Sequence, residues 1–271
     1  MLSIEILGVQ TPNAPTVVLS SGLGGLAHFW EPQLDALVSD YRVVVYDHLG
    51  MGASPAVLPE DYSITDMAYE LAQALDSLSI TRYHIIGHAL GGLIALELAK
   101  RFPQTVQSMI LINAWAAPNA HTARCFSVRK KILTLIGPAA YVEAQSLFLY
   151  SPDWIAVNET RLIAEDARAL RHFPNPDNVL KRIDALLRFD ARDYLHQIHV
   201  PVLLIANRDD HLIPWHCSQQ LYDALPDSTL EMVEHGGHAS SISEAPHINA
   251  LLKTHLKSHQ QSTHPVEIES H

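Results

Sequence analysis

Three observations predict an α/β protein with a mostly parallel central sheet, helices on both faces and a helical lid. Short β-branched runs recur along the chain, segments of helical spacing separate them, and glycine-rich turns follow several of the runs. Branched apolar side chains suit strands buried on both faces, and the helices between them supply the crossovers that parallel pairing needs. Such sheets gather their sites at the carboxyl ends of the strands.

The first run, Thr16–Ser20, ends in the loop Ser20-Ser21-Gly22-Leu23-Gly24-Gly25. The second is Tyr41–Tyr46. A helix follows, with Ile64, Met67, Ala68, Leu71, Leu75 and Leu78 on one face and Ser63 ahead of Asp66 as a capping box. The third run, Tyr83–Gly87, enters the turn Gly87-His88-Ala89-Leu90-Gly91-Gly92, the fourth covers Gln107–Ile112, and the fifth covers Pro201–Ala206. Between Trp115 and Tyr194 the alternation stops. Helical patterns at 127–136, 140–149, 158–172 and 178–187 are punctuated by Gly137-Pro138, Ser151-Pro152 and Pro174-Asn175-Pro176. The division expected is a core at 1–114, a lid inserted at 115–195, the rest of the core at 196–258, and a polar tail at 259–271.

The chain has 271 residues, 48% hydrophobic and 17% charged, which is enough apolar matter for a large core. Its 18 Lys and Arg against 29 Asp and Glu give a net charge of −11, which argues against nucleic acid as a partner. No run reaches the ~20 apolar residues of a membrane span. The start, Met1-Leu2-Ser3-Ile4-Glu5, lacks the basic and apolar regions of a secretory signal, so a cytoplasmic monomer or homodimer is expected. Cys125 and Cys217 are too few for a disulfide framework. The 17 histidines show no H-E-x-x-H, nor is there a Cys-x-x-Cys pair, so no metal or other cofactor is expected.

Chemistry enters at the turn after the third run. Strand, sharp glycine turn and helix make the layout of a nucleophile elbow, G-x-S-x-G, with Ala89 at the position of the nucleophile. Downstream, Asn207-Arg208-Asp209-Asp210 follows a strand and His235-Gly236-Gly237-His238 follows the last one, in the order elbow, acid, histidine. Asp210 is the acid by its offset from Pro214, with Asp209 the lesser choice, and His238 is the base. His88, inside the elbow, packs beside the site. The backbone N–H groups of Leu23 and Leu90 are the candidate oxyanion donors. Neither G-x-G-x-x-G nor a P-loop occurs, which removes a nucleotide reading.

On these residues the chain resembles the α/β-hydrolase superfamily. Further stretches make it similar to the RutD family of bacterial pyrimidine utilisation. They are Glu60-Asp61-Tyr62-Ser63-Ile64, Ala120-His121-Thr122-Ala123-Arg124-Cys125-Phe126, Val142–Tyr150, Ala224-Leu225-Pro226-Asp227-Ser228 and Gly236-Gly237-His238-Ala239. The resemblance implies that Ala89 is natural, although the superfamily usually has Ser, Asp or Cys there. It also implies a small anionic substrate, aminoacrylate or carbamate, hydrolysed at a carbon–nitrogen bond with release of ammonia during uracil catabolism and nitrogen metabolism. A methyl group cannot attack a carbonyl, so the dyad would act through water. The substrate carboxylate calls for a cation; of Arg124, Arg129, Lys130 and Lys131 in the lid, Arg124 is the candidate, because arginine makes the best pair with a carboxylate, and the other three fit a solvated basic helix face equally well. The rival readings are a silent hydrolase fold that binds a small ligand, and a cofactor-free His/Asp lyase or oxygenase.

Overall fold

The runs of β-branched residues lie where nothing polar could be tolerated: Val17, Val18, Leu19, Val43, Val44, Ile85 and Ile86 have no exposed surface. A computed structural model describes residues 1–11 and 13–259. In chain order the elements are β1 (Ser3–Gly8), β2 (Thr16–Ser20), α1 (Glu31–Leu37), β3 (Arg42–Asp47), α2 (Ile64–Ser77), β4 (Tyr83–His88), α3 (Leu90–Arg101) and β5 (Val106–Ile112). Five helices follow without a strand: α4 (Ala120–Leu135), α5 (Pro138–Leu149), α6 (Pro152–Val157), α7 (Glu159–Arg171) and α8 (Pro176–Arg188). The chain closes with β6 (Val202–Asn207), α9 (His216–Ala224), β7 (Ser228–Val233), α10 (Ser240–Ser243) and α11 (Ala245–Ser258).

The seven strands run in the order β1-β3-β2-β4-β5-β6-β7. All neighbours are parallel except β1, which pairs antiparallel with β3 from Ser3↔Asp47 to Gly8↔Arg42. Val18, Val44, Ile85 and Leu111 point into one apolar layer, which holds α2 and α3. Val17, Val43, Ile86 and Ile110 point into the other, which α1 and α11 cover.

Three elements depart from the sequence reading. β1 was not expected, because its residues alternate between exposed and half-buried on a sheet edge and carry no fully apolar run. α4 starts at Ala120 and not at 127, since the Asn119 side chain takes the Thr122 N–H at 2.8 Å and caps the helix there. α6 is a short added turn of helix, opened by the Ser151 side chain on Trp154 N–H. The Ser63–Asp66 capping box closes in both directions. Of the expected polar tail, residues 260–271 lie outside the described residues.

Candidate active site

The carboxyl end of β4 sets the site's floor. Ala89 adopts φ 49° and ψ −113°, a backbone conformation that costs a residue with a Cβ roughly 1–3 kcal/mol. The glycines around it make the turn possible. A Cβ on Gly91 would collide with the Ser20 carbonyl, and one on Gly87 would meet the backbone of Gly91 and Gly92. The turn is pinned by Ala89 N–H on the Ile112 carbonyl at 2.9 Å. α3 then begins at Leu90, whose N–H has no described acceptor, as expected for the first residue of a helix. The loop after β2 comes against the elbow: a Cβ at Gly22 would lie 3.6 Å from the Ala89 methyl. Leu23 N–H likewise donates to no described group. Both amides are therefore free, and both belong to segments that meet at Ala89.

His238 follows β7, and its Nδ1 lies 2.7 Å from Oδ2 of Asp210, which follows β6. The side chains are 3% and 0% exposed, so this pair is shielded from solvent. The other Asp210 oxygen accepts the N–H groups of Leu212 and Ile213 at 2.7 and 2.8 Å. A carboxylate held on both oxygens is fixed in orientation, and it fixes the imidazole with Nδ1 protonated. That leaves Nε2 as the lone-pair nitrogen, and it has no partner among the described residues.

Asp209 and Asp210 are adjacent and do different work. Asp209 accepts the N–H groups of Gly237 and Gly236 at 2.9 and 3.1 Å, and so ties down the loop that carries His238. The His238 carbonyl is held from the other side. It accepts from His88 Nε2 at 2.8 Å and from Asn113 Nδ2 at 2.9 Å. Asn113 also reaches Asn207, whose side chain bonds the His235 carbonyl at 2.8 Å. Because a carbonyl can only accept, His88 carries its proton on Nε2, and its ring sits 4.7 Å from that of His238. Burial, and secondarily the neighbouring His238, push the His88 pKa down to about 3. His88 is thus a neutral strut. Asn113 and Asn207 were missed by the sequence reading; their only signal is a polar residue at the end of an otherwise apolar strand.

Arg124 is exposed, and it lies on the face of α4 opposite Thr122, Phe126, Arg129 and Leu133, which are buried. No described hydrogen bond or ion pair joins it to His238 or Asp210. The buried arginines of the inserted helices are Arg129 and Arg182, at 4% and 0% exposure. Arg182 donates through Nη2 to the Leu23 carbonyl at 3.2 Å and to His48 Nδ1 at 2.9 Å. Cys217 is buried, with its thiol pushed up to about 11 by that burial, and Cys125 is likewise raised, so neither is an activated nucleophile. Among the described residues no group of His, Cys, Asp or Glu is arranged to hold a metal ion. No described helix is long and apolar enough to cross a membrane. A cavity of about 280 Å³ opens between α5, α6 and the acid loop, lined by Leu147, Tyr150, Ile155 and His211.

Comparison with known proteins identifies the family. Residues 15–133 match the family model described as the alpha/beta hydrolase fold. A protein of Stutzerimonas stutzeri (strain A1501) named "Putative carbamate hydrolase RutD" is 57% identical over 93% of this chain and 95% of its own. One of Escherichia coli O1:K1 / APEC with the same name is 48% identical over 91% and 92%. Among solved structures, the enol-lactonase from Burkholderia xenovorans LB400 superposes with a TM-score of 0.86 at 25% identity, covering 94% of this chain and 96% of that one. An elbow with a strained central residue, an acid after β6 and a histidine after β7, together with these relatives along nearly the whole length, have one explanation: the chain belongs to the α/β-hydrolase family and, within it, to the RutD family.

Proposed function

We propose that this protein hydrolyses a carbon–nitrogen bond in carbamate or aminoacrylate and releases ammonia. In this reading it serves cytoplasmic pyrimidine (uracil) breakdown and uses His238 and Asp210 without a covalent nucleophile. The relatives' printed name supports carbamate as a substrate. The observation that carries the reading is the buried His238–Asp210 hydrogen bond of 2.7 Å, retained beside an elbow whose side chain is a methyl group.

In this mechanism Asp210 holds the imidazole tautomer and stabilises the imidazolium that forms. Nε2 takes a proton from water as the water oxygen bonds to the substrate carbon. With carbamate, the tetrahedral adduct breaks its C–N bond, His238 returns the proton to nitrogen, and ammonia and bicarbonate leave. With aminoacrylate, water adds to the imine tautomer, and the carbinolamine expels ammonia to give malonate semialdehyde. The amides of Leu23 and Leu90 serve the oxygen on which charge develops. General acid–base help of this kind is worth about 10²–10⁴-fold, enough for substrates that also break down unaided.

The test generates aminoacrylate or carbamate in situ and follows ammonia. The wild type is expected to exceed the spontaneous rate, with His238→Ala losing about 10²–10⁴-fold of the enhancement. Equal rates for wild type, His238→Ala and buffer would overturn the reading. They would favour instead the silent ligand-binding fold, for which Ala89 is the one supporting observation. A gain of activated-ester hydrolysis in Ala89→Ser would support the elbow and its two amides independently.

A further inference from the structure

Buried cations need anions, and two among the described residues have none in ion-pair contact. Arg182 is wholly buried, yet no carboxylate lies within ion-pair distance of it among the described residues. Glu70, the acidic group that acts on it electrostatically, is engaged instead by the Tyr62 hydroxyl at 2.7 Å. Nη2 is spent on the Leu23 carbonyl and on His48, while Nε and Nη1 are buried without a partner. Arg129 repeats the pattern. It is enclosed by the rings of Phe126, Tyr141 and Phe148, donates to the Tyr141 hydroxyl at 3.0 Å, and leaves its Nε unpartnered. Tyr141 is also within electrostatic range of Arg182.

Burying an ion without compensation costs several kcal/mol, and a guanidinium cannot shed its proton at neutral pH. The position is also informative. Arg182 holds the carbonyl of Leu23, whose own N–H is a candidate oxyanion donor, and the same loop touches Ala89 through Gly22. A Cβ on Gly25 would come within 2.9 Å of Arg182 Nη2, so glycine there lets the loop lie against the guanidinium.

We infer that Arg182 is the receptor for the carboxylate of a small monoanionic substrate. This rests on the proposed chemistry for the identity of the substrate, but the receptor itself concerns only charge. The orphan nitrogens are closed to bulk water, so an arriving carboxylate displaces side-chain contacts and meets a cation little screened by solvent.

The experiment therefore reads binding apart from turnover. Acrylate carries the carboxylate and has no nitrogen to release, and acrylamide is its uncharged analogue. Calorimetry and thermal midpoints are compared for the wild type, Arg182→Met, Arg182→Lys and Arg129→Met. Acrylate is expected to bind and stabilise the wild type and acrylamide not to; Arg182→Met should bind acrylate roughly 10–100-fold more weakly, with Arg182→Lys between them. In the ammonia assay the same variants should raise KM more than they lower kcat. Unchanged acrylate affinity in Arg182→Met, or no acrylate binding by the wild type, overturns the inference even if ammonia release is catalysed. If Arg182→Met does not fold, Arg182→Lys with wild-type affinity overturns it equally. Charge-dependent binding that is lost with Arg182 supports it even if ammonia appears only at the spontaneous rate, which would sink the proposed reaction and not the receptor.

Discussion

Helices α7 and α8 are neighbours in the same insertion and have 13 residues each, but they relate to the core in opposite ways. α8 buries Asn178, Val179, Arg182, Ile183, Ala185 and Leu186, whereas α7 buries only Leu162 and leaves Ile163 and Leu170 exposed. From α8, Asn178 accepts Leu58 N–H and donates to the carbonyls of Gly50 and Ala56, Lys181 donates to Leu58, and Arg188 donates to Tyr62. α7 has no comparable tie; its one side-chain ion pair, Arg161–Glu165, is internal and half exposed. The insertion thus has two unlike parts: α8 is fastened to the loop after β3, and α7 is an outer cover held by little.

The sharpest way to break that contrast is Asn178→Ala. It strands one N–H and two carbonyls of a partly buried loop, so we expect a loss of about 2–4 kcal/mol in urea unfolding. A loss below ~1 kcal/mol would mean that α8 is no better fastened than α7.

Acid should loosen the α8 side next. His48 is buried against Arg182, and burial first, then the guanidinium, hold its pKa well below 6.5. The unfolded chain therefore binds a proton below pH ~6.5 that the folded chain refuses, so stability is full above that pH and falls as pH drops. Each such group contributes about 1.4 kcal/mol per pH unit in that window. The urea midpoint at pH 5 should be lower than at pH 7.5, and His48→Asn should flatten the slope by one proton. A slope unchanged in His48→Asn would remove His48 from the account.

The smallest effects belong to α7. Ile163→Ser should stay within about 0.5 kcal/mol of the wild type, because the side chain already faces water. Glu165→Gln should cost about 0.3–0.5 kcal/mol, the worth of an exposed pair one helical turn apart. Hydrogen exchange would sharpen the same contrast, with α7 amides exchanging faster than those of α8.

The strands of the sheet's interior were legible because each is an unbroken apolar run between turns. β1 was not, since an edge strand shows the core only one side and its pattern is mixed. The acid–histidine pair was legible from order along the chain, and the choice of Asp210 over Asp209 followed from spacing to Pro214. What Asp209 does was hidden, because its partners are backbone amides 27 and 28 residues away. That Arg124 lies on the exposed face of α4 was not legible, because a charged residue in a promising segment says nothing of the face it occupies. Arg182 and Arg129 carried a signal that was available. Arg182 interrupts the stripe Val179, Ile183, Leu186, and Arg129 stands between Phe126 and Leu133 on the buried side of α4. A cation on an apolar stripe is a conflict between local pattern and burial, and such conflicts mark places where a site outweighs stability.

The bend at Ala89 has a consequence of its own. In a serine enzyme that contorted backbone is explained by the hydroxyl it holds aloft, yet here the contortion persists with nothing aloft. What the bend still sets is the following amide at Leu90, the first of α3, which donates to no described group. Chain trajectory and reactive group are therefore separable inheritances: the scaffold keeps a costly corner where the side chain it carries is only a methyl group.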